Sequence, residues 1–446
     1  MRAILRRLVF FALTLFLAAF AIDAISSPQQ NLNELQRGRA LDMLRDFAAA
    51  VRKNYYDSTY HGVDLEARFR EAKEKIEKAT SLGQTFAAIA VAVDALNDSH
   101  THFLPPERPL RLDYGYRLRM NGDACFVSEI RPNTDAAAKL HLGDQFLKIE
   151  GFVPTRDSMV KMNYYFNQIY PRGVMHLLVR DPAGAEHQIE VQAAVHPTKR
   201  LVDLTFTGAS GPDIWDIVRD QENRDHLFRQ RHVEVSDSLM IWKMPAFDLK
   251  EEEMDRLWGM ARKHTTLILD LRGNPGGYVT LLQRMIGSVM DHEVKIGDRV
   301  GRKDPKPLVA KSRGSNVFTG KLIVLIDSSS ASAAEIFARV VQLEHRGTVL
   351  GDRTSGMVME SKYYPLQEGI EKVIFFGATI TDADLIMTDG KSLEHNGVTP
   401  DEVVLPTAAD LAAGRDTVLA HAAELAGVKL DPVEAGKMFP FEWLPL

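Results

Sequence analysis

The chain of 446 residues has only one cysteine and only a small excess of acidic over basic residues. It also lacks the common sequence signatures of nucleotide-binding proteins and zinc proteases. Cys125 alone excludes an intrachain disulfide and a zinc-thiolate cluster, and we interpret it as a small buried hydrophobic residue. The net charge is −6, and no basic run or basic helix face with interleaved aromatic residues is present, so a nucleic-acid partner has no electrostatic support. Because GxGxxG, GxxxxGK[ST] and HExxH are also lacking, we predict no metal and no cofactor.

The one pronounced apolar run lies at the N-terminus. Arginines at positions 2, 6 and 7 precede apolar residues 8–21, and small residues follow. This order predicts a secretory signal peptide over residues 1–24. The run is short for a membrane span and no cysteine follows it to carry a lipid, so we expect removal, with an uncleaved membrane anchor as the alternative. The mature protein is then periplasmic or extracellular, with no stable transmembrane span.

Length and pattern divide the rest of the chain. Hydrophobic residues make up 45% and charged residues 26%, which is typical of a globular protein, and 446 residues predict two or three domains. Helical spacing of apolar residues predicts an N-terminal helical region over residues 25–108, ending at the proline-rich LPPERP. Short strand-like runs predict a β-rich domain over 109–198. Alternating strands and helices then predict an α/β core over 199–446.

The segment VSEIRPNTDAAAKLHLGDQFLKIEG, residues Val127 to Gly151, resembles a PDZ domain of the bacterial protease type. Such a domain adds an extended peptide to a sheet edge and often holds a terminal carboxylate with backbone N–H groups. The resemblance implies that Tyr114, Gly115 and Tyr116 form this peptide-binding clasp, although their sequence departs from the usual GLGF. A module that only packs against the core is the alternative.

Two turns of the core carry residues suited to catalysis. TLILDLRGNPGG, residues Thr266 to Gly277, is a buried strand followed by a glycine-rich turn whose backbone N–H groups can approach an anion. LIVLIDSSSASAAEIFARVV, residues Leu322 to Val341, is an apolar strand, a turn of hydroxyl residues and an amphipathic helix. Ser332 precedes that helix, where free N–H groups and the helix dipole stabilise negative charge, although a plain helix cap is an alternative interpretation.

Together these motifs resemble those of the C-terminal processing (tail-specific) peptidase family, which includes tricorn core proteases and retinoid-binding relatives. The likeness extends to GDRTSG (Gly351 to Gly356) and EHNGVTPDEVV (Glu394 to Val404), in the same order. It implies a ClpP/crotonase-like peptidase core with an N-terminal helical region and an inserted PDZ-like domain. It also implies that Ser332 is the nucleophile and that Gly277 and Ala333 supply the oxyanion hole.

The general base departs from the Ser-Lys branch of that family. Met357 stands where those members carry a catalytic lysine, and Lys362 is the nearest later lysine. DSHTHF instead resembles the tricorn-like branch, whose pattern implies that His100 is the base. An imidazole can accept a proton at neutral pH and return it to the leaving amine, and His102 is a competitor because it shares the face of an extended segment with His100.

The tricorn-like pattern further implies a tetrad. In it Glu394 orients Ser99, and Ser99 orients His100, although His395 is adjacent to Glu394. The function implied is a serine-type endopeptidase that cleaves exported proteins or peptides through an acyl-enzyme on Ser332. The alternatives are a catalytically weak peptide- or ligand-binding relative and an esterase that uses the same serine and histidine. The sequence predicts no oligomeric state.

Overall fold

A computed structural model describes residues 32–108, 110–197, 228–303, 305–369 and 373–443. The signal peptide predicted over residues 1–24 lies outside these ranges. Within them, no helix is both long and apolar enough to cross a bilayer.

The N-terminal region is a group of three helices, each with a polar cap. They are α1 (Glu34–Asn54), α2 (Leu65–Lys78) and α3 (Leu82–Val91). Asn33, Asp64 and Ser81 each accept a hydrogen bond from a first-turn N–H of the helix that follows, which satisfies donors that the helix itself leaves free. One short helical turn, Tyr60–Gly62, lies between α1 and α2, and another, Asp94–Leu96, follows α3.

The β-rich module that comes next is built around a five-stranded antiparallel sheet. Its elements are β2 (Leu110–Asp113), β3 (Tyr116–Asn121), β4 (Ala124–Ile130), α4 (Asp135–Lys139), β5 (Gln145–Ile149), α5 (Arg156–Tyr164), a π-helical turn (Tyr165–Ile169), β6 (Val174–Arg180), β7 (Glu186–Gln192) and β8 (Ala194–Pro197). The strand order is β3-β4-β5-β6-β7, so β3 is an edge strand, and β2 pairs with β8. Cys125 is buried in this module, as expected.

The core follows the predicted alternation of strands and helices. Its elements are β9 (Arg231–Ser236), β10 (Leu239–Lys243), α6 (Glu251–Ala261), β11 (Thr266–Asp270), α7 (Val279–Gly287), β12 (Val294–Val300), β13 (Lys306–Ala310), a 3-10 turn (Gly314–Asn316), β14 (Lys321–Ile326), α8 (Ala333–Leu343), β15 (Thr348–Gly351), β16 (Glu360–Glu368), β17 (Ile374–Met387), β18 (Glu402–Val403), α9 (Ala408–Ala412), α10 (Thr417–Leu425) and α11 (Pro432–Lys437).

One six-stranded sheet organises this core, in the order β18-β15-β14-β11-β10-β9. All neighbouring pairs are parallel except β10 with β9. One apolar cluster fills the space between the sheet and helices α6, α7 and α8, while a second covers the opposite face with α10 and α11. Every residue of β11 is buried, which is why its sequence reads as an apolar run rather than an alternation. The α/β prediction for the core is confirmed.

A second sheet connects the N-terminal region to the core. The strand β1 (His102–Leu104) pairs antiparallel with β17, which also pairs with β12 and β16. Apolar spacing predicted a helical region over residues 25–108. The strand β1 lies within that range but belongs to this second sheet. This pairing brings residues 98–101 to the core.

Candidate active site

The two turns singled out in the sequence lie side by side at one edge of the six-stranded sheet. They follow β11 and β14, which are parallel neighbours, so their carboxyl ends meet. The N–H of Leu271 donates to the Leu325 carbonyl and that of Ala331 to the Asn274 carbonyl, both at 2.9 Å. In open α/β sheets this edge is where ligands bind.

The glycine-rich turn packs directly against the serine turn. A Cβ built on Gly276, whose φ is +95°, would lie 2.6 Å from the Cβ of Ser332 and 2.9 Å from the N of Ala333. A Cβ on Gly277, whose φ is +144°, would lie 2.3 Å from the Phe247 carbonyl oxygen. Both positions therefore require glycine for close approach as well as for backbone conformation.

Two backbone N–H groups remain open at this contact. Among the described residues, neither the N–H of Gly277 nor that of Ala333 has a hydrogen-bond acceptor. Ala333 is the first residue of α8, where an N–H has no partner inside the helix. Two free N–H groups flanking a serine can bind an anionic oxygen.

Ser332 itself is half-buried and has an unusual backbone conformation. Its φ is 52° and its ψ is −120°, a region that favours glycine. Its N–H donates to the carbonyl of Met357 at 2.8 Å and to Glu335 Oε2 at 3.0 Å. The turn thus fixes the backbone of Ser332 through its N–H group.

Ser99, His100 and Glu394 form a continuous hydrogen-bonded chain. Ser99 Oγ lies 2.7 Å from His100 Nδ1 and 2.9 Å from Glu394 Oε2, and the Ser99 N–H donates to Glu394 Oε1 at 2.8 Å. The N–H of Val358 also donates to Glu394 Oε2, at 3.0 Å. Residues almost 300 positions apart in the sequence therefore lie together, in the order Glu394, Ser99, His100.

The direction of these bonds assigns the protons. An ionised Glu394 can only accept, so the single hydroxyl proton of Ser99 points to it, and Ser99 Oγ accepts from Nδ1–H of His100. That tautomer leaves Nε2 of His100 unprotonated. Asp98 fixes the local backbone because its Oδ1 accepts from the N–H groups of His100 and Thr101, at 2.8 and 2.7 Å.

Burial lowers the pKa of His100 to about 4, and His102 nearby acts in the same direction, while the negative charge of Asp98 acts against it. Burial raises the pKa of Glu394, against the hydrogen bonds from Val358 and Ser99 and the charge of His395. The imidazole is therefore neutral at pH 7 and able to accept a proton.

The Ser332 turn and the chain of Glu394, Ser99 and His100 are adjacent, but among the described residues no hydrogen bond joins them directly. No hydrogen bond joins Ser332 Oγ to His100 within the described ranges. Two neighbouring residues connect the groups instead, since the Met357 carbonyl accepts from Ser332 and the Val358 N–H donates to Glu394. In enzymes without bound substrate, catalytic hydrogen bonds are often long and shorten in the substrate complex.

The competing residues have other contacts. His102 lies in β1, and its Nε2 donates to the carbonyl of Ser99 at 2.8 Å. Lys362 lies in β16, largely exposed, and pairs with Asp382. His395 contacts the Asn97 carbonyl through Nε2 at 2.6 Å. None of the three is aligned as His100 is by Ser99.

The predicted peptide-binding clasp, residues 114–116, lies at the start of β3, but two of its hydrogen-bond donors already have acceptors. The Gly115 N–H donates to Asp113 Oδ1 at 2.9 Å. The Tyr114 hydroxyl donates to the Phe166 carbonyl, and the ring of Tyr116 packs against Phe146 at 5.4 Å between centroids. A terminal carboxylate would have to displace the Asp113 carboxylate from Gly115.

Sequence reasoning missed one residue of this site, Glu335. It is fully buried beside Ser332, at the third position of α8. The signal was present in the sequence, because a serine followed three residues later by glutamate is a capping-box pattern. Among the described residues, no cluster of three or more histidine, cysteine or acidic side chains is arranged to hold a metal ion.

Comparison with known proteins assigns a family to the core. Residues 240–404 match the profile of peptidase family S41. The chain contains a peptidase family S41 domain. Members of this family are serine proteases, so the protein is a serine-type peptidase. The S41 match includes Ser332, Gly277, Ala333 and Glu394, whereas His100 lies outside the matched range.

Individual relatives of the S41 domain extend the likeness to more of the chain. The carboxyl-terminal-processing protease of Picosynechococcus sp. is 24% identical over 383 residues, covering 81% of this chain and 83% of the relative. The carboxy-terminal-processing protease of Bartonella bacilliformis is 34% identical over 165 residues, 36% of this chain and 35% of the relative. The crystal structure of mature CPAF in complex with lactacystin has a TM-score of 0.63 at 16% identity, covering 85% of this chain and 96% of that one, which supports the fold.

The lowered pKa of His100 predicts the pH range over which its imidazole stays neutral. An imidazole whose pKa is about 4 stays neutral down to about pH 5, whereas an unperturbed histidine is half protonated near pH 6.5. NMR of ring-labelled histidines would identify His100 as the signal absent from a His100→Ala variant and follow its titration. A His100 signal with a midpoint near 6.5 would contradict the burial argument.

Proposed function

We propose that this S41 peptidase cleaves peptide bonds with Ser332 as nucleophile, His100 as general base and the Gly277 and Ala333 N–H groups as oxyanion hole. The observation that carries the proposal is the contact between the two turns, where Ser332 lies beside two N–H groups that have no acceptor in the described part of the chain. The ordered chain from Glu394 through Ser99 to His100 supports the choice of base. These features provide the three parts that acyl transfer needs.

The proposed reaction has two stages. In the first, Ser332 Oγ attacks the scissile carbonyl carbon while Nε2 of His100 takes its proton, and the oxyanion of the tetrahedral intermediate accepts from the two N–H groups. His100 then returns the proton to the leaving amine, and the acyl-enzyme remains. In the second stage a water molecule gives a proton to His100 and attacks the ester carbon. His100 then returns that proton to Ser332 Oγ as the ester bond breaks, which releases the acid and restores both residues. Glu394 stabilises the imidazolium through Ser99 in both stages.

The β-rich module is proposed to act as a PDZ-like peptide-binding domain. Its strand β3 is a sheet edge, to which an extended chain can add, and residues of helix α5 line a cleft together with Met120 of this strand. A cleft at the end of this edge is lined by Met120 of β3, by Met159 of α5 and by Ser328 and Ser355 of the core. Ser328 precedes Ser332 by four residues and donates to the Met120 carbonyl at 2.6 Å. A polypeptide held at β3 would thus be directed towards the serine turn.

The substrates proposed are the unstructured C-terminal ends of proteins outside the cytoplasm. The relatives named carboxyl-terminal-processing protease, together with the tail-specific protease of Haemophilus influenzae, motivate this choice of substrate. The predicted signal peptide over residues 1–24 motivates export. The intact mass of this peptidase, recovered from an exported fraction, would show where its own signal peptide is removed. Recovery of the full-length chain from membranes alone would favour the uncleaved membrane anchor.

The test of this function is labelling of the purified protein with a fluorophosphonate probe, combined with mass spectrometry of peptide digests. We expect the label on Ser332 and cleavage of an unfolded protein or a peptide with a free C-terminus. Hydrolysis of activated esters without any peptide cleavage would favour the esterase. If the chain stays unlabelled and inactive while still binding peptides, the catalytically weak relative is the better description.

A further inference from the structure

Glu335 is a buried acid beside the nucleophile that the mechanism above does not use. It lies in SASAAE, three residues after Ser332, and its exposed fraction is 0%. Acidic side chains are seldom fully buried unless their oxygens are paired, because removing a carboxylate from water is unfavourable. Its position therefore needs a physical explanation.

The two carboxylate oxygens of Glu335 connect the serine turn to the turn that follows β15. Oε2 accepts from the N–H groups of Ser332 and Met357, at 3.0 and 2.9 Å. Oε1 accepts from the Gly356 N–H at 2.7 Å and from the Thr354 hydroxyl at 2.6 Å. One side chain thus receives four hydrogen bonds from two separate segments of the chain.

The donors decide which form of Glu335 suits the site. The pKa of Glu335 is raised to about 7, because the effect of burial outweighs the hydrogen bonds from Thr354, Met357, Gly356 and Ser332, which lower it. Three of these donors are backbone N–H groups, which cannot accept a proton in return. The ionised carboxylate therefore fits the geometry, and a protonated or amide side chain would place a donor against another donor.

These contacts act on a backbone that is otherwise unfavourable. Ser332 has the φ of 52° described above, and such conformations persist only where surrounding contacts fix them. Among the described residues, the Ser332 N–H has one acceptor besides Glu335, the Met357 carbonyl, and the Met357 N–H donates to Glu335 in turn. Both constraints on the Ser332 amide therefore depend on the same carboxylate.

We propose that Glu335 is a positioning residue, whose carboxylate locks the serine turn to the 354–357 turn and so fixes the direction of Ser332 Oγ and of the Ala333 N–H. The link also reaches the base, because Val358 follows Met357 and donates to Glu394. Glu335 thereby sets the separation between nucleophile and base chain without touching the reacting atoms. This inference rests on the proposed function of Ser332.

The test compares wild type with Glu335→Gln. If the amide oxygen keeps the place of Oε1, the amide nitrogen faces the N–H groups of Ser332 and Met357, and those two bonds are lost. We expect kcat per active site to fall by about 10- to 100-fold, as a misplacement of roughly 1 Å can produce. KM should change by less than about 3-fold, because of the four cleft residues named above only Ser355 belongs to the turn that Glu335 holds. Glu344→Gln at the other end of α8 is the matched control and should retain wild-type kcat.

Active-site titration with the fluorophosphonate separates positioning from folding. A positioning role predicts that nearly all Glu335→Gln molecules label, but each more slowly and with the lower kcat. A merely structural role predicts fewer molecules that label, each with wild-type kcat, and that result would overturn the proposal.

Hydrogen exchange gives a readout that does not need activity. Peptides covering 332–336 and 354–358 should exchange faster in Glu335→Gln than in wild type, while the rest of the chain is unchanged. Unchanged exchange in both segments would refute the positioning role even if wild type proved inactive. Failure of wild type to label, with faster exchange in the variant, would instead reject only the proposed function.

Discussion

Replacing Ser332 or His100 by alanine is expected to lower kcat by about 10⁴- to 10⁶-fold, with little change in KM. In the proposed mechanism Ser332 supplies the attacking oxygen and His100 accepts its proton, so the loss of either residue removes the function of both. The double variant should consequently be no slower than the worse single variant. Single-turnover hydrolysis of a peptide, followed by mass spectrometry, measures losses of this size.

Two control variants make this result specific. Ser329 lies three residues earlier in the same turn and is exposed, so Ser329→Ala should retain activity and full labelling. His102→Asn loses the bond to the Ser99 carbonyl but keeps the chain through His100. A larger loss in His102→Asn than in His100→Ala would assign the base to His102 and reject the assignment made above.

Glu394→Gln is expected to lower kcat by about 10²- to 10⁴-fold, since a comparable loss follows when the acid that fixes a catalytic histidine becomes an amide. The carboxylate accepts from the Ser99 hydroxyl, the Ser99 N–H and the Val358 N–H. An amide nitrogen cannot accept any of these. If it faces Ser99 Oγ, the hydroxyl proton turns towards His100, and the imidazole adopts the tautomer with its proton on Nε2, which cannot take the proton of Ser332.

The pH dependence of single-turnover rates distinguishes this effect from simple loss of structure. With Glu394 neutral, the imidazolium loses its stabilisation, so proton acceptance by His100 should become less favourable at every pH. Glu402→Gln, an exposed change of the same kind near β15, should behave as wild type. A Glu394→Gln variant with wild-type kcat would show that Ser99 and His100 are oriented without it.

The sequence predicted the serine site best where local pattern and chemistry coincide. Ser332 lies between an apolar strand and an amphipathic helix that begins at Ala333, and both elements are readable from periodicity. Gly277 follows a buried strand in the same way. These two positions needed only the rule that parallel strands end at one edge of a sheet.

The base chain required more than local pattern. Ser99 and Glu394 are 295 residues apart, and no periodicity indicates that they touch. Their pairing came from resemblance, and the structure supplies the reason through β1, whose pairing with β17 brings the preceding residues to the core. Glu335 was missed because a glutamate three residues into a helix is adequately explained as a cap.

The backbone conformation of Ser332 lowers the stability of the fold at the residue that is proposed to carry the reaction. Glycine would adopt this φ without strain, whereas serine raises the free energy of the folded state by about 1 to 3 kcal/mol. Under the proposed function, selection for peptide cleavage maintains a residue that selection for stability alone would replace. A lineage released from that selection would gain folded stability by exchanging this serine for glycine, and would lose its nucleophile in the same step.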